Sequence, residues 1–139
     1  MTKLYLAGPM QNRPKFNFPL FEEAAEVLRA KGFDILSPAE LDREQGDTVA
    51  EALASDDGDI TKLTSTWGDF LSRDVKIVAD EVGGIVFLPE WEESKGARLE
   101  AYVALACGHD EFWHYIPAIK TAKGLSRERV VEGVRGNIS

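Results

Sequence analysis

The chain has 139 residues, 44% hydrophobic and 29% charged, which suits a single globular domain large enough to bury a core. Its formal net charge of -8 disfavours a nucleic-acid polymer or an anionic membrane as a broad-surface partner, while permitting one small anionic ligand held by local groups. Cys107 is the only cysteine, and His109 and His114 are the only histidines, so an intramolecular disulfide and a cysteine-based zinc cluster are excluded and neither a metal nor a cofactor is expected.

The first residues, MTKLYLAGPM, hold too short an apolar run for a signal peptide, and no later stretch approaches a membrane span; a cytoplasmic location is expected. Lys3 to Ala7 reads as a buried strand closed by Gly8-Pro9. From Pro19 to Lys31 the apolar positions Leu20, Phe21, Ala24, Ala25 and Leu28 repeat at helical spacing, and Gly32 stands where a C-terminal cap belongs. Phe33 to Leu36 is a second strand ended by Ser37-Pro38, so strand, helix and strand form a βαβ unit with parallel strands. Residues 44 to 64 are polar, acidic and rich in small residues, the composition of a solvated loop or of a lid.

Trp67 to Asp80 is amphipathic, with Phe70, Leu71, Val75, Val78 and Ala79 on one side. Gly83 to Leu88 is a continuous apolar run, typical of a central strand covered on both faces. A helix from Ser94 to Gly108 follows, then a strand near Phe112 to Ile116. Beyond Pro117 the signal weakens, leaving residues 118 to 139 as a C-terminal extension in which Ser126 to Val134 is helical. The pattern predicts one domain over residues 1–139, an α/β fold with a three-layer open parallel sheet.

Two carboxylates interrupt the inward stripes of their helices. Asp74 falls between Phe70 and Val78 at four-residue steps, and Glu100 shares a face with Ala97, Ala101 and Ala104. Each is open to a plain explanation: a side chain at the stripe's edge that reaches water, or one paired with Arg73, Lys76 or Arg98. Two of them, on helices flanking one strand, point to a use, because an unpaired buried carboxylate costs several kcal/mol or stays protonated. Ligands of open α/β sheets bind beyond the carboxyl ends of the strands, where Gly8-Pro9, Ser37-Pro38 and Leu88-Pro89-Glu90-Trp91 should gather. Paired carboxylates beside a pocket can divide the work of breaking a bond at a sugar: one attacks the cationic carbon and the other manages a proton.

Several segments then resemble a known family: YLAGPM at 5–10, Asn17-Phe18-Pro19 with Phe21, SPAEL at 37–41, SRDVKIVADEVGGIVFLPEW at 72–91, and S-K-G-A-R-L-E at 94–100. Together they are similar to the nucleoside 2-deoxyribosyltransferase superfamily, above all its small, often phage-encoded members with a W-x-x-S-x-G-A-x-x-E pattern, and the likeness spans roughly residues 3 to 117. The resemblance implies a flavodoxin-like (Rossmann-like) sheet and cleavage of the N-glycosidic bond of 2′-deoxynucleosides or their 5′-monophosphates. It implies a glutamate nucleophile at the position of Glu100, and an aspartate at the position of Asp74 that handles sugar, base or proton. A second base or water would resolve the glycosyl-enzyme ester.

Six residues before the glutamate, relatives acting on nucleosides carry an aspartate, and monophosphate N-hydrolases a serine; here it is Ser94, which also reads as a helix N-cap. Glu93 would repel a phosphate, while Arg13, Lys15 and Lys95 would attract one. Tyr5, Gly8, Pro9 and Met10 match the family's sugar- and base-side loop, and Gly96 belongs to the same helix-start pattern. Trp91 either stacks on a base or covers the helix start; Asn17 either bonds a ligand or satisfies free amides at the first helix. The likeness also implies a homodimer or higher homo-oligomer, for which the side of the helix carrying Leu99 and Val103 is a candidate contact. A second reading keeps the fold and pocket but senses or sequesters a nucleotide without turnover, although a pure binder has little reason to retain two costly carboxylates. A third, an ordinary flavodoxin-like domain, is discouraged by the lack of a Ser/Thr-rich phosphate loop after the first strand.

Overall fold

The structure, a computed structural model, describes residues 2–43, 56–59 and 67–135. Five strands form one sheet: β1 (Lys3–Ala7), β2 (Asp34–Leu36), β3 (Gly84–Phe87), β4 (Glu111–Ile116) and β5 (Thr121–Leu125), in the order β2-β1-β3-β4-β5. The first four run parallel, with Tyr5 opposite both Leu36 and Ile85, and Phe87 opposite His114. The helices are α1 (Phe18–Ala30), α2 (Pro38–Arg43), α3 (Trp67–Asp80), α4 (Lys95–Ala106) and α5 (Arg127–Arg135). This is the expected α/β, three-layer architecture.

Side chains alternate along a strand, and that parity divides the core in two. Leu4, Leu6, Val86 and Leu88 face one layer, where they meet Phe21, Ala24, Ala25 and Leu28 of α1 at helical spacing. Tyr5, Ala7, Ile85 and Phe87 face the other layer, which holds Ile77 and Val78 of α3, Ala97, Ala101 and Ala104 of α4, and Val130 of α5. The buried face of α3 is therefore Asp74, Ile77 and Val78, whereas Val75 and Ala79 are only half-buried, a rotation of the stripe expected from the apolar pattern. Three alanines along the inner face of α4 let that helix lie close to the sheet. Gly32 and Gly108, with φ of +95° and +80°, stand just beyond α1 and α4, where the left-handed backbone favours glycine.

The sheet's far edge differs from the parallel expectation. β5 returns antiparallel to β4 through a turn over Pro117–Ile119 and a left-handed Lys120, pairing Ile116 with Thr121 and Phe112 with Leu125. An edge strand that is half-exposed needs little apolar patterning, so TAKGL carries no strong strand signal. The expected last helix is present as α5, where the Ser126 hydroxyl accepts from the Arg129 amide at 3.1 Å and Arg127 donates to the Leu105 and His109 carbonyls at the end of α4. Among the described residues, no helix is long and apolar enough to cross a membrane.

Trp91 ties α5 to this layer. Its ring is 2% exposed and stacks on Phe87 with centroids 4.1 Å apart, and Gly133 of α5 lies directly against it. A Cβ at residue 133 would sit 2.2 Å from Trp91 Cη2, a distance only a shift of helix or ring can relieve. Gly133→Ala is therefore expected to lower unfolding stability by about 1–3 kcal/mol, measured as a reduced denaturant midpoint at unchanged slope. An unchanged midpoint would show that α5 does not depend on this contact.

Candidate active site

At the carboxyl ends of β1 and β3 the chain opens into a cavity of about 490 Å³. Its walls come from Tyr5, the loop after β1 from Gly8 to Arg13, Asp42 of α2, Phe70 and Asp74 of α3, and the start of α4 at residues 94–97 with Glu100. Gly8 marks a close approach of two strand ends, because a Cβ there would lie 2.8 Å from Leu88 Cβ. The loop is braced from outside: the Asn12 amide donates to the Gly58 carbonyl at 2.9 Å, and Asn17 Nδ2 donates to the Pro9 carbonyl at 2.9 Å. Lys15, Phe16 and Asn17 run consecutively in left-handed conformation, with φ of 55°, 52° and 61°, which non-glycine residues adopt only when surrounding contacts enforce it. Here burial of Phe16, whose ring also lines the cavity, supplies that enforcement.

Strand parity turns Tyr5 into the layer of α3 and α4, where its hydroxyl donates to Glu100 Oε2 at 2.6 Å. Glu100 is 7% exposed and Asp74 is 8% exposed, so both carboxylates are buried at the cavity wall. Arg73 supplies the compensating charge: its Nε and Nη2 reach Asp74 Oδ1 at 2.8 Å, and its Nη1 donates to Asp42 Oδ1 at 2.6 Å. Among the described residues, no group of three or more His, Cys, Asp or Glu side chains is arranged to hold a metal ion; Asp42 and Asp74 share a guanidinium, and Glu100 is held by Tyr5.

One cation does not balance three carboxylates out of water, and the acidities show it. Burial pushes the Glu100 carboxyl well above its usual range and the charge of Asp74 pushes it further, against the Tyr5 hydrogen bond and Arg73. Asp74 is likewise raised by burial, offset by Arg73 and Tyr5. Burial also raises Asp42, to about 6, against the pull of Arg73. Tyr5 is held far above its ordinary value by burial and by Glu100, so its hydroxyl remains a donor throughout the accessible pH range.

The sequence-derived site residues separate into two groups. Tyr5, Gly8, Pro9, Met10, Asp74, Ser94, Gly96 and Glu100 all line the cavity. Trp91 and Asn17 do not belong to its lining. Trp91 is sealed in the core, which leaves it the helix-covering role, and Asn17 neither caps α1 nor faces the cavity but holds the Pro9 carbonyl. The Ser94 hydroxyl accepts from the Ala97 amide at 3.1 Å, as an N-cap should, with Lys95 and Glu93 beside it at the cavity. Arg13 reaches the cavity too, with Glu90 3.8 Å away, whereas Lys15 is exposed outside the lining. Most of the acidic stretch 44–64 lies outside the described residues, so its reading as a loop or lid is not addressed by the geometry. Asp42 went unread in the sequence; its signal was three-residue spacing from Ala39, which shares the buried face of the short helix α2. Leu99 and Tyr102 are exposed on the outer side of α4, at 36% and 59%.

Fold and site together define an open α/β protein with a small-ligand cavity walled by buried carboxylates. The chain belongs to the family of the domain of unknown function DUF4406, whose model matches residues 2–110 and thereby takes in Tyr5, Asp42, Arg73, Asp74 and Glu100. No curated protein and no solved structure matches the chain significantly.

The raised acidity of Glu100 carries a stability consequence whose sign is fixed. The folded protein keeps this proton at pH values where the unfolded chain, titrating near ~4.3, has lost it. Stability therefore falls as pH rises from that value through the raised folded one. Glu100→Gln keeps an acceptor for Tyr5 and removes the charge, so at pH 7–8 it should raise the melting temperature by several degrees, on the order of 1 kcal/mol. The gain should vanish as the pH is lowered towards ~4 in paired thermal melts. A variant less stable than the parent at pH 8 would contradict the assignment.

Proposed function

We propose that this protein cleaves the N-glycosidic bond of 2′-deoxynucleosides or their 5′-monophosphates, as the likeness to nucleoside 2-deoxyribosyltransferases implies, with Glu100 as nucleophile. The observation that carries the reading is the Tyr5–Glu100 hydrogen bond of 2.6 Å at the wall of a ligand-sized cavity, with Asp74 beside it. Tyr5 occupies Oε2 and steadies the ionised carboxylate, and among the described residues Oε1 has no hydrogen-bond partner, which suits attack on the anomeric carbon C1′.

In the reaction, Glu100 Oε1 bonds to C1′ as the C1′–N bond breaks and its electron pair leaves with the base. Asp74 delivers a proton to that base. Water, or the ring nitrogen of a second base, then attacks C1′, returns its proton to Asp74 and releases the Glu100 carboxylate. The two acids differ in their neighbours, a neutral hydroxyl at Glu100 and a guanidinium at Asp74; these favour the proton on Glu100 at rest, so the reactive form is the one in which that proton has passed to Asp74.

The N-terminus of α4, capped by Ser94 rather than by an acid, together with Lys95 and Arg13 in the lining, supports a monophosphate over an uncharged nucleoside, although Glu93 opposes it. In this reading the protein works in the cytoplasm as a homo-oligomer, with exposed Leu99 and Tyr102 supporting a contact between copies.

Chromatography of free base from a panel of 2′-deoxynucleosides and 5′-monophosphates, with and without an acceptor base, tests the proposal. Base release or exchange is expected from the parent, and Glu100→Ala should lower it by more than about 1,000-fold. Because Glu100 attacks as the carboxylate while its acidity is weakened, the rate should fall with decreasing pH along a limb lying above the ordinary carboxylate range. Tight nucleotide binding without turnover would instead favour a sensing or sequestering protein.

A further inference from the structure

Asp42 has no part in the chemistry above, yet it exposes the least surface of the carboxylates at the cavity, 3%. It comes from α2, a different element from the catalytic pair, and shares the Arg73 guanidinium with Asp74, whose charge also acts on it directly. A guanidinium is planar, with its donors fixed in direction, so an acceptor on one edge sets how the other edge is presented. Asp42 takes the Nη1 donor at 2.6 Å, while Nε and Nη2 face Asp74 Oδ1 at 2.8 Å.

That arrangement resolves a conflict in the site. Arg73 lies against Asp74, where its undivided charge would hold that carboxylate ionised and deprive the site of a proton donor. A second carboxylate on the same cation weakens that hold. We propose that Asp42 is a positioning residue: it fixes one edge of the Arg73 guanidinium, divides that cation between two carboxylates, and so leaves Asp74 and Glu100 a proton to hold between them. The use made of that proton, delivery to the departing base, rests on the N-glycosidase reading; the electrostatic arrangement does not.

Burial is the largest cause of the weakened acidity of all three carboxylates, and Arg73 opposes it in each. The other charged side chains at the cavity are Arg13, Glu93 and Lys95, and among the described residues none of them hydrogen-bonds to the cluster. Titration belongs to the Asp74–Glu100 pair, so the proposal concerns their joint proton.

The test is Asp42→Asn, which keeps an acceptor for Arg73 and removes the charge, with Asp42→Ser as the substitute should the first variant not fold. Carboxyl carbons of Asp74 and Glu100 are followed by NMR against pH in the ligand-free protein, and the pH profile of base release is recorded alongside. Loss of the charge should move the pair's upper titration step down by about 1 pH unit, and carry the alkaline limb of the rate profile down with it. A purely structural Asp42 would leave both unmoved in a folded variant, and titrations that superimpose within about 0.2 pH unit overturn the proposal. A parent that releases no base while the variant's titration shifts overturns the N-glycosidase reading and keeps the role of Asp42; base release with an unshifted titration does the reverse.

Discussion

A single guanidinium faces three buried carboxylates at the mouth of the sheet, and the surrounding structure is arranged to sustain that imbalance. Removing an ionised carboxylate from water costs several kcal/mol even after relaxation, and one cation offsets that fully for one partner only. Arg73 therefore cannot quiet Asp42, Asp74 and Glu100 together. The remainder is met by the Tyr5 hydroxyl, by retained protons, and by a cavity that leaves room for a ligand. Apolar side chains of similar volume would serve stability better than such a cluster, and its presence on the inner faces of three helices is the strongest physical argument for use.

The geometry follows from a few local rules. Residue parity along β1 sends Leu4 and Leu6 beneath α1 and Tyr5 towards α4. A slip of one residue in that strand would exchange the layers and break the Tyr5–Glu100 bond. Alanines on the inner face of α4 bring its backbone near the sheet, so a glutamate in the same stripe can reach the tyrosine. Asp74 and Arg73 are adjacent on α3, which gives the acid its cation without any long-range requirement. Asp42 alone depends on a separate element, and this makes the placement of α2 after β2 part of the site's electrostatics.

Much of this was legible in the amino-acid sequence because the signals were periodic. The βαβ unit, the central strand, and the interruptions at Asp74 and Glu100 all follow from residue spacing, and the structure places those two carboxylates at one cavity with Tyr5. Other features depended on partners that spacing does not reveal. Trp91 is an aromatic residue at a strand end, equally suited to a ligand or a core; only the docking of Gly133 and Phe87 against it decides. Asn17 precedes a helix but its left-handed backbone turns it away from capping, towards the Pro9 carbonyl. β5 is an exposed edge strand whose pairing comes from β4 rather than from its own composition. Asp42 sits in a six-residue helix where only its spacing from Ala39 marks a buried face, and its pairing with Arg73 emerges only once α2 is set against α3.

The proposed chemistry is covalent, an ester between Glu100 and the anomeric carbon of a 2′-deoxynucleoside or its 5′-monophosphate. Intact-mass spectrometry of the protein mixed with a 2-fluorinated deoxynucleoside or its 5′-monophosphate, followed by peptide mapping, tests it most directly, because fluorine beside C1′ slows breakdown of the ester. Attack by Glu100 predicts a gain equal to the fluorinated sugar or sugar phosphate without its base, located on Glu100. A protein that binds the analogue but gains no mass, or gains it at another residue, would contradict it.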